Sequence, residues 1–343
     1  MKVSDFDYPL DNQIIAQYPC RIRDQSRLMV LRRETGQIEH KTFEDIPDFI
    51  DPGSLLVIND SRVFPARLRG EKRSGGKLEI LLLKKRDSSH WEALFKGKYK
   101  DNQTLLFKGG LKGRLVKALE KGKVLIDFQI NEKNIANHVL HYGEVPIPPY
   151  IKRTEAESLS IDSENYQTVY ANAYGSVAAP TAGLHFTPTL LKRIRQKGVE
   201  IVVVTLHVGL GTFKGISCEA VEDHKMETEC YSVSEESAKI IRLAKSEKRK
   251  IISVGTTTTR VLETISTPEG KVASGNGNTD LFIFPGYSFK IVDALVTNFH
   301  LPKSTLLVLA SAFAGRDRLL RAYDAAIGMG YRFYSYGDAM FIL

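Results

Sequence analysis

Three histidines share an unusual local setting in this sequence: His185, His207 and His300. Each follows an apolar strand-like or turn-like run and has a glycine or proline close by. Loops at the ends of rigid elements concentrate binding and catalytic groups, and imidazole is the side chain best suited to proton transfer near neutral pH. Any one of these histidines could simply pack or cap a turn. Three of them in such loops favour one shared polar site.

Four consecutive threonines, residues 256–259, follow Gly255, which comes directly after an apolar strand, and they precede a predicted helix that contains Arg260. Hydroxyl groups and free backbone amides at a helix start suit an anion or a ligand carboxylate. Ordinary helix capping is the alternative, but one threonine would satisfy it, so the run favours a binding role. The sequence has no Gly-x-Gly-x-x-Gly and no Walker pattern, and a dinucleotide site is therefore not supported.

Three further polar residues are candidates, each with a simple structural alternative. Arg62 could clamp a phosphate or carboxylate through two hydrogen bonds, or form surface ion pairs at a turn. Tyr150 follows a stiff stretch with three prolines and could stack on a base or belong to a linker. Asp338 could act as an acid or base, or merely end a turn.

Positive charge is concentrated in one segment of the chain. Residues 66–140 contain 18 Lys and Arg against 8 Asp and Glu, whereas the remainder has 30 against 32. A concentrated basic surface attracts polyanions. A small domain that uses lysine for solubility is the alternative, but solubility would not confine the lysines to one segment. We therefore favour a nucleic-acid partner.

Several broad protein classes do not fit the sequence. No apolar run reaches the roughly 18 residues of a membrane span, and no basic-then-apolar leader follows Met1. The three cysteines are far apart, and neither Cys-x-x-Cys nor His-Glu-x-x-His occurs, so a disulfide framework or zinc site is not supported. We expect a cytoplasmic protein with no membrane association and no bound metal.

The basic segment differs from the rest of the chain in its predicted secondary structure. Short strand-length runs such as 77–83 and 91–95 are separated by glycines, and Lys121-Gly122 is typical of a hairpin turn. Elsewhere helices and strands alternate, which indicates an α/β domain. We predict an α/β main domain, barrel-like, of residues 1–65 plus 145–343, with an inserted small all-β barrel domain of residues 66–144.

Within the α/β part, several elements can be located from local signals. Thr187 as cap and Pro188 as first residue predict a helix that ends near residues 197–198. Another helix opens after Ser234, with acidic residues in its first turn. Residues 200–205 and 251–254 are predicted strands. A single long amphipathic helix is predicted from residue 303 or 304 to near residue 328.

Taken together, these motifs resemble the S-adenosylmethionine:tRNA ribosyltransferase-isomerase family of the queuosine pathway. The resemblance covers essentially the whole chain. The matching sequence motifs are long and occur in the same order as in the family. They are residues 5–8, 15–19, 23–28, 166–170 and 178–186, the loops of His207 and His300, and residues 335–340.

The resemblance implies an unusual reaction. The ribosyl part of S-adenosylmethionine is transferred to 7-aminomethyl-7-deazaguanine at the tRNA wobble position and isomerised, which gives epoxyqueuosine, adenine and methionine. A route through a sulfonium ylide needs a base for carbon, an acid for adenine and a clamp for the carboxylate. Apart from S-adenosylmethionine as co-substrate, it needs no cofactor and no metal. A monomer acting on tRNA is expected.

The resemblance also implies roles for individual residues. His185, His207 and His300 are candidates for proton transfer, and Asp338 is a candidate for support or acid–base work. Four residues are expected to contact S-adenosylmethionine: Thr181, Thr256, Thr257 and Arg260. Three others are expected to contact RNA: Arg62, Lys303 and Tyr150.

One position departs from the family pattern, because Glu227 stands where a second histidine is expected after His224. A role tied to that position is in doubt, and His224 itself is an equal candidate for structure and for the site. Two other function classes remain open from the sequence alone. One is ordinary methyl transfer from the same co-substrate, and the other is noncatalytic RNA binding.

Overall fold

A computed structural model describes residues 1–153, 161–209, 211 and 215–343 of the chain. Its strands form a nine-stranded mixed sheet, a closed six-stranded barrel and a two-stranded sheet. The strands are β1 (Arg27–Leu31), β2 (Ile38–Thr42), β3 (Leu55–Asn59), β4 (Ser61–Val63), β5 (Arg67–Lys72), β6 (Lys77–Lys85), β7 (His90–Lys96), β8 (Thr104–Phe107), β9 (Lys112–Ala118), β10 (Lys123–Asp127), β11 (Ala173–Ser176), β12 (Glu200–Leu206), β13 (Glu229–Val233), β14 (Ile251–Val254), β15 (Gly275–Thr279), β16 (Ala294–Asn298) and β17 (Ala339–Ile342).

Seven α-helices connect or flank these strands in the described residues. They are α1 (Glu132–Tyr142), α2 (Ile161–Asn165), α3 (Pro188–Gln196), α4 (Glu235–Ser246), α5 (Thr256–Ile265), α6 (Thr305–Ala314) and α7 (Arg316–Gly328). The caps predicted for α3 and α4 are confirmed, because the side chains of Thr187 and Ser234 accept hydrogen bonds from backbone amides in the first turn of each helix.

The prediction of one long helix near the chain's end is wrong. Gly315 separates α6 from α7 and has a φ of 83°, a conformation that side-chain-bearing residues rarely adopt. The apolar residues of 305–314 are buried almost all round, whereas α7 has a one-sided pattern. The two helices therefore pack differently, although their sequences join without proline.

The large sheet has the strand order β15-β13-β12-β3-β14-β16-β17-β1-β2. Strands β12, β3, β14 and β16 run parallel to one another, as β17 and β1 do. Successive residues of β3 supply opposite faces, with Leu55 and Val57 in one core cluster and Leu56 and Ile58 in another. A parallel sheet covered on both faces is typical of an α/β domain.

The closed barrel has the strand order β10-β7-β6-β5-β8-β9 and its own apolar core. Helix α1 packs against that core through Ile135 and Val139. The hairpin predicted at residues 121–122 joins β9 to β10. Backbone hydrogen bonds between Arg67 and Glu144 connect the two ends of the insertion. An α/β part that carries an inserted all-β barrel is thus confirmed.

The sheet topology fixes where polar loops meet. Because β3, β12, β14 and β16 are parallel, their carboxyl ends lie at one edge of the sheet, which is where ligands bind in open α/β sheets. The segments after these ends contain many of the residues predicted to be functional. In the described part of the chain, no helix has the length and apolarity needed to cross a bilayer.

Candidate active site

Two clefts lie at this edge. The sheet-edge cleft is lined by residues 178–182, 255–257, 297–298 and 300–301 together with Tyr150, Tyr166 and Ser335, among others. The interdomain cleft lies between the barrel and the sheet and has a volume of about 760 Å³. Val208 lines both clefts, so they adjoin.

His207 lies in the interdomain cleft directly after β12. Its Nδ1 is 2.8 Å from Ser61 Oγ, which is 2.6 Å from Ser176 Oγ, and these contacts fix the ring plane. Burial lowers the pKa of His207, although the Asp60 carboxylate opposes part of that shift. No hydrogen bond to Nε2 is present among the described residues. The ring is therefore neutral at pH 7 and has one nitrogen available for proton transfer.

His300 lies in the sheet-edge cleft, two residues beyond the end of β16. Its Nε2 is 2.8 Å from Thr297 Oγ1, and its backbone amide donates to the Tyr323 hydroxyl over 2.9 Å. The Tyr8 hydroxyl donates to the carbonyl oxygen of His300. The side chain is buried, and this burial lowers its pKa to about 3. His300 is therefore held neutral and firmly oriented at the cleft wall.

His185 lies behind the sheet-edge cleft rather than in its lining. Its ring stacks on Phe43 with 5.0 Å between centroids, and its Nδ1 is 2.7 Å from Ser26 Oγ. Burial, with the charges of two nearby arginines, lowers its pKa to about 3. The Asn298 amide donates to His185 Nε2 over 3.1 Å. His185 thus contacts the cleft only through Asn298.

Asn298 connects His185 to the co-substrate residue predicted at position 181. The Thr181 hydroxyl donates to Asn298 Oδ1 over 2.9 Å, while the amide nitrogen of Asn298 points to the buried imidazole. Both Thr181 and Asn298 line the sheet-edge cleft. The chain Thr181–Asn298–His185–Ser26 therefore fixes the orientation of the groups that face a ligand.

Two helix N-termini point toward the sheet-edge cleft. Thr256 and Thr257 begin α5, and Ser304 caps α6, and all three line the cleft. The first amides of a helix have no intrahelical acceptor and carry partial positive charge. Neither first turn contains an acidic residue. The arrangement suits a small anionic group such as a carboxylate.

Arg260 is engaged with the protein itself. Its guanidinium forms a buried ion pair with Glu229 and donates to the carbonyl oxygens of Leu281 and Thr279. The other carboxylate oxygen of Glu229 accepts the Gly209 amide over 2.7 Å. Arg260 thus reaches the interdomain cleft only through Glu229, which lines it.

Asp338 lies outside both clefts, at the start of β17. Its carboxylate accepts hydrogen bonds from the backbone amides of Arg27 and Arg332 over 3.1 and 2.8 Å, and it pairs with the Arg332 side chain. These contacts fix the loop before β17 against the start of β1. The geometry favours the structural alternative that the sequence left open for this residue.

The three predicted RNA contacts lie apart from one another. Arg62 is exposed, and its guanidinium lies 4.8 Å from the ring centre of Tyr174, a cleft residue. Tyr150 lines the sheet-edge cleft and hydrogen-bonds with Ser335. Lys303 lies outside both clefts and pairs with Asp7 over 2.6 Å.

The position that departs from the family pattern faces the interdomain cleft. Glu227 lines that cleft, whereas the His224 ring packs edge-on against Phe282 with 5.0 Å between centroids. Burial lowers the pKa of His224. His224 therefore fits the structural interpretation, while Glu227 places a carboxyl group in the lining of the cleft.

Sequence reasoning did not assign several residues that complete this site. Ser61 and Ser176 orient His207, Asn298 orients Thr181, and Glu229 pairs with Arg260. Only Asn298 had a usable signal, because it ends an apolar strand beside one of the histidine loops. The other pairings join residues that are 31 or more positions apart.

Similarity to known proteins extends over the whole chain. Residues 3–342 match the family described as queuosine biosynthesis protein. Proteins named S-adenosylmethionine:tRNA ribosyltransferase-isomerase from Desulfitobacterium hafniense and Acetivibrio thermocellus are 52% and 50% identical to it, each over 100% of both chains. A crystal structure of S-adenosylmethionine tRNA ribosyltransferase from Thermotoga maritima is 38% identical, covers 99% of this chain and 100% of its own, and gives a TM-score of 0.57.

Proposed function

Because this chain belongs to the family of queuosine biosynthesis proteins, we propose that it is a tRNA ribosyltransferase-isomerase. In the proposed reaction, the ribosyl moiety of S-adenosylmethionine is transferred to 7-aminomethyl-7-deazaguanine at the tRNA wobble position and isomerised to epoxyqueuosine. Adenine and methionine are released. The observation that carries the proposal is the 50–52% identity, over full length, with relatives that bear this name.

The dimensions of the two clefts support a division of the co-substrate between them. The sheet-edge cleft has a volume of about 50 Å³, room for roughly three or four water molecules. That space matches an amino-carboxylate group but not a whole S-adenosylmethionine. We assign the carboxylate to Thr181, Thr256 and Thr257, and the ribose to the junction near Val208.

Proton transfer is assigned to His207 and His300. The proposed route removes a proton from the ribose carbon bonded to sulfur, and the resulting carbanion expels adenine as the ring opens. His207 is suited to accept this proton because it is neutral, half-buried and has a free nitrogen in the larger cleft. His300, which burial holds neutral, is suited to relay a proton rather than to supply one from an imidazolium. The amine then adds, the carbon closes onto the aldehyde, and the alkoxide displaces methionine.

The remaining predicted residues receive supporting roles in this proposal. His185 orients Asn298, Asp338 holds the loop before β17, and Arg260 holds Glu229 at the cleft. Arg62 and Lys303 are the proposed RNA phosphate contacts, because both side chains reach solvent. Tyr150 is reassigned from RNA to the co-substrate side, since it lines the sheet-edge cleft. No metal or redox cofactor enters the route.

Mass spectrometry of the reaction products tests the proposed function. The protein is incubated with S-adenosylmethionine and tRNA that carries 7-aminomethyl-7-deazaguanine. We expect adenine and methionine in equal amounts, together with epoxyqueuosine in the tRNA. S-adenosylhomocysteine in place of adenine would mean methyl transfer. Tight tRNA binding without any product would mean that the protein only binds RNA.

A further inference from the structure

Aromatic side chains line the interdomain cleft on both of its sides. Phe64 and Trp91 form one pair, with ring centres 6.3 Å apart, and both line the cleft. Tyr174 lines it from the two-stranded sheet and is 49% exposed. Barrel residues of β7 and main-domain residues of β11 thus contribute aromatic surface to the same space. Aromatic rings in an open cleft are the usual platform for an unstacked nucleic-acid base.

The indole of Trp91 has an unsatisfied hydrogen-bond donor. Its Nε1 is buried, and it has no acceptor within the described part of the chain. Buried donors are nearly always paired in folded proteins, and an exception at a cleft wall calls for an explanation. A base carries ring nitrogens and carbonyl oxygens that could accept such a bond if the indole turned its Nε1 toward the occupied cleft.

Two cations of the barrel lie in the cleft wall without an acidic partner. Lys84 and Lys123 both line the cleft, and neither forms an ion pair among the described residues. Neighbouring cations are already engaged, since Lys85 pairs with Glu132 and Arg86 with Glu92. Arg62, stacked on Tyr174, adds a third cation at the rim. Unpaired cations beside aromatic rings match a nucleotide, which presents a flat base and a charged phosphate.

We propose that the interdomain cleft holds one nucleotide extruded from an RNA loop, with its base against Phe64, Trp91 and Tyr174 and its phosphates on Lys84 and Lys123. This inference rests on the proposed function, in which chemistry on a wobble base requires that base to leave its stack. It further assigns His207, at the inner wall of the same cleft, to the place where that base meets the co-substrate.

Intrinsic fluorescence gives a direct test, because Trp91 is the only tryptophan of the chain. The intact protein is titrated with an anticodon stem-loop that carries 7-aminomethyl-7-deazaguanine at the wobble position. A matched stem-loop with an abasic wobble position is the control, and anisotropy of labelled RNA establishes saturation for both. We expect strong quenching by the first RNA and little by the abasic RNA. Equal quenching by both, or full quenching by S-adenosylmethionine alone, would overturn the assignment.

Charge and ring variants test the phosphate and stacking contacts separately. The double variant Lys84→Glu/Lys123→Glu is expected to raise KM for tRNA at least tenfold and to lower the salt slope of binding by about 2, while KM for S-adenosylmethionine stays unchanged. The matched control is Lys192→Glu/Lys239→Glu, two exposed lysines on α3 and α4 outside both clefts. An equal effect of both double variants would contradict the phosphate contacts.

Two substitutions at the tryptophan separate the indole N–H from the ring surface. Trp91→Phe keeps a smaller aromatic ring and removes the N–H together with the second ring of the indole, whereas Trp91→Ala removes the stacking surface altogether. We expect Trp91→Ala to weaken binding of the modified stem-loop by about 10- to 100-fold, with a smaller loss for Trp91→Phe. Unchanged binding of the modified stem-loop by a folded Trp91→Ala protein would overturn the base contact.

Failure of this inference differs from failure of the proposed function. If base-dependent quenching occurs but no adenine or methionine is released, the nucleotide site stands and the proposed reaction is wrong. If the products form while the abasic stem-loop quenches Trp91 as strongly as the modified one, the reaction stands and the nucleotide lies elsewhere.

Discussion

At the scale of single residues, burial determines what each histidine can do. His185 and His300 are almost completely enclosed, and burial holds the pKa of each near 3. His207 is half-buried in a cleft of about 760 Å³, so it can meet a substrate and exchange a proton with it. The three histidines have similar sequence settings but different positions. His207 faces the interdomain cleft, His300 lies in the wall of the smaller sheet-edge cleft, and His185 lies behind that wall.

The buried histidines should make stability depend on pH. The folded pKa of His300, about 3, lies below its ordinary value of 6.5, so the unfolded chain binds an extra proton between these values. The contribution of neutral His300 is thus complete above pH 6.5 and is lost as pH falls toward 3. As pH is lowered from 6 to 4.5, the free energy of unfolding should decrease in both proteins. The decrease should be steeper in the wild type than in His300→Gln, by about 1.4 kcal/mol per pH unit. Urea unfolding at several pH values measures this, and parallel curves would contradict it.

The buried pair Arg260–Glu229 should be much more sensitive to loss of its cation than to neutralisation of its anion. Arg260→Met leaves a buried carboxylate unpaired and should destabilise the fold by about 3–5 kcal/mol. Glu229→Gln keeps one acceptor oxygen, which can serve Arg260 or the Gly209 amide but not both. Arg260 still donates to the carbonyl oxygens of Leu281 and Thr279, so a smaller loss is expected. Denaturant titration of both variants checks the order. A larger loss of unfolding free energy in Glu229→Gln than in Arg260→Met would show that the ion pair is not the stabilising feature.

At the scale of elements, the site depends on parallel strands whose carboxyl ends meet. Asn59, His207, Gly255 and Asn298 each lie at or directly after the end of one of four parallel strands. Helices α5 and α6 begin beside the same edge and direct their first amides toward it. The positions of the polar groups therefore follow from the topology rather than from their spacing in the chain.

Gly255 should be required for the start of α5. Its φ of 89° and ψ of 153° belong to a region that is almost exclusive to glycine. Gly255→Ala should destabilise the fold by about 1–3 kcal/mol and raise KM for S-adenosylmethionine, because the first turn of α5 shifts. The matched control is Gly328→Ala in α7, where no atom lies within 4 Å of the new methyl group. That control should be neutral or slightly stabilising, and a comparable loss there would refute the argument.

Local signals explain which elements the sequence predicts well. The caps Thr187 and Ser234 act on amides three residues away, so the starts of α3 and α4 follow from neighbouring residues alone. The break at Gly315 was missed, since a single glycine in an apolar run is compatible with a continuous helix. The partner of Arg260 was also missed, because Glu229 belongs to a strand whose pairing depends on the whole sheet. A ligand carboxylate was the simpler interpretation for an arginine beside threonines.

At the scale of the whole molecule, the barrel contributes the basic side chains and the large sheet contributes the candidate proton-transfer residues. The basic segment recognised in the sequence folds as the barrel, and its lysines reach one wall of the interdomain cleft. The histidine that can exchange a proton follows β12 of the large sheet and lines the same cleft. In the proposed function, substrate recognition and reaction therefore meet between the two parts, which is a common location for ligand sites.

This division predicts different salt dependence for the two substrates. KM for tRNA should rise steeply between 50 and 200 mM salt, since each phosphate contact makes the slope of log affinity against log salt more negative by about 0.7 to 0.9. KM for S-adenosylmethionine should change little, because the proposal places its carboxylate among threonines and helix amides in the sheet-edge cleft. Steady-state kinetics over that range tests both. Equal salt dependence for the two substrates would contradict the separation.

The most direct test of the account is hydrogen exchange at the ribose carbon bonded to sulfur. S-adenosylmethionine deuterated at that carbon is incubated with enzyme and tRNA, and loss of the label to water is followed by mass spectrometry. If His207 removes this proton, His207→Gln should slow the loss by about 10²- to 10⁴-fold while S-adenosylmethionine still binds. Label loss from His207→Gln at the wild-type rate would show that another group is the base and would refute the central assignment.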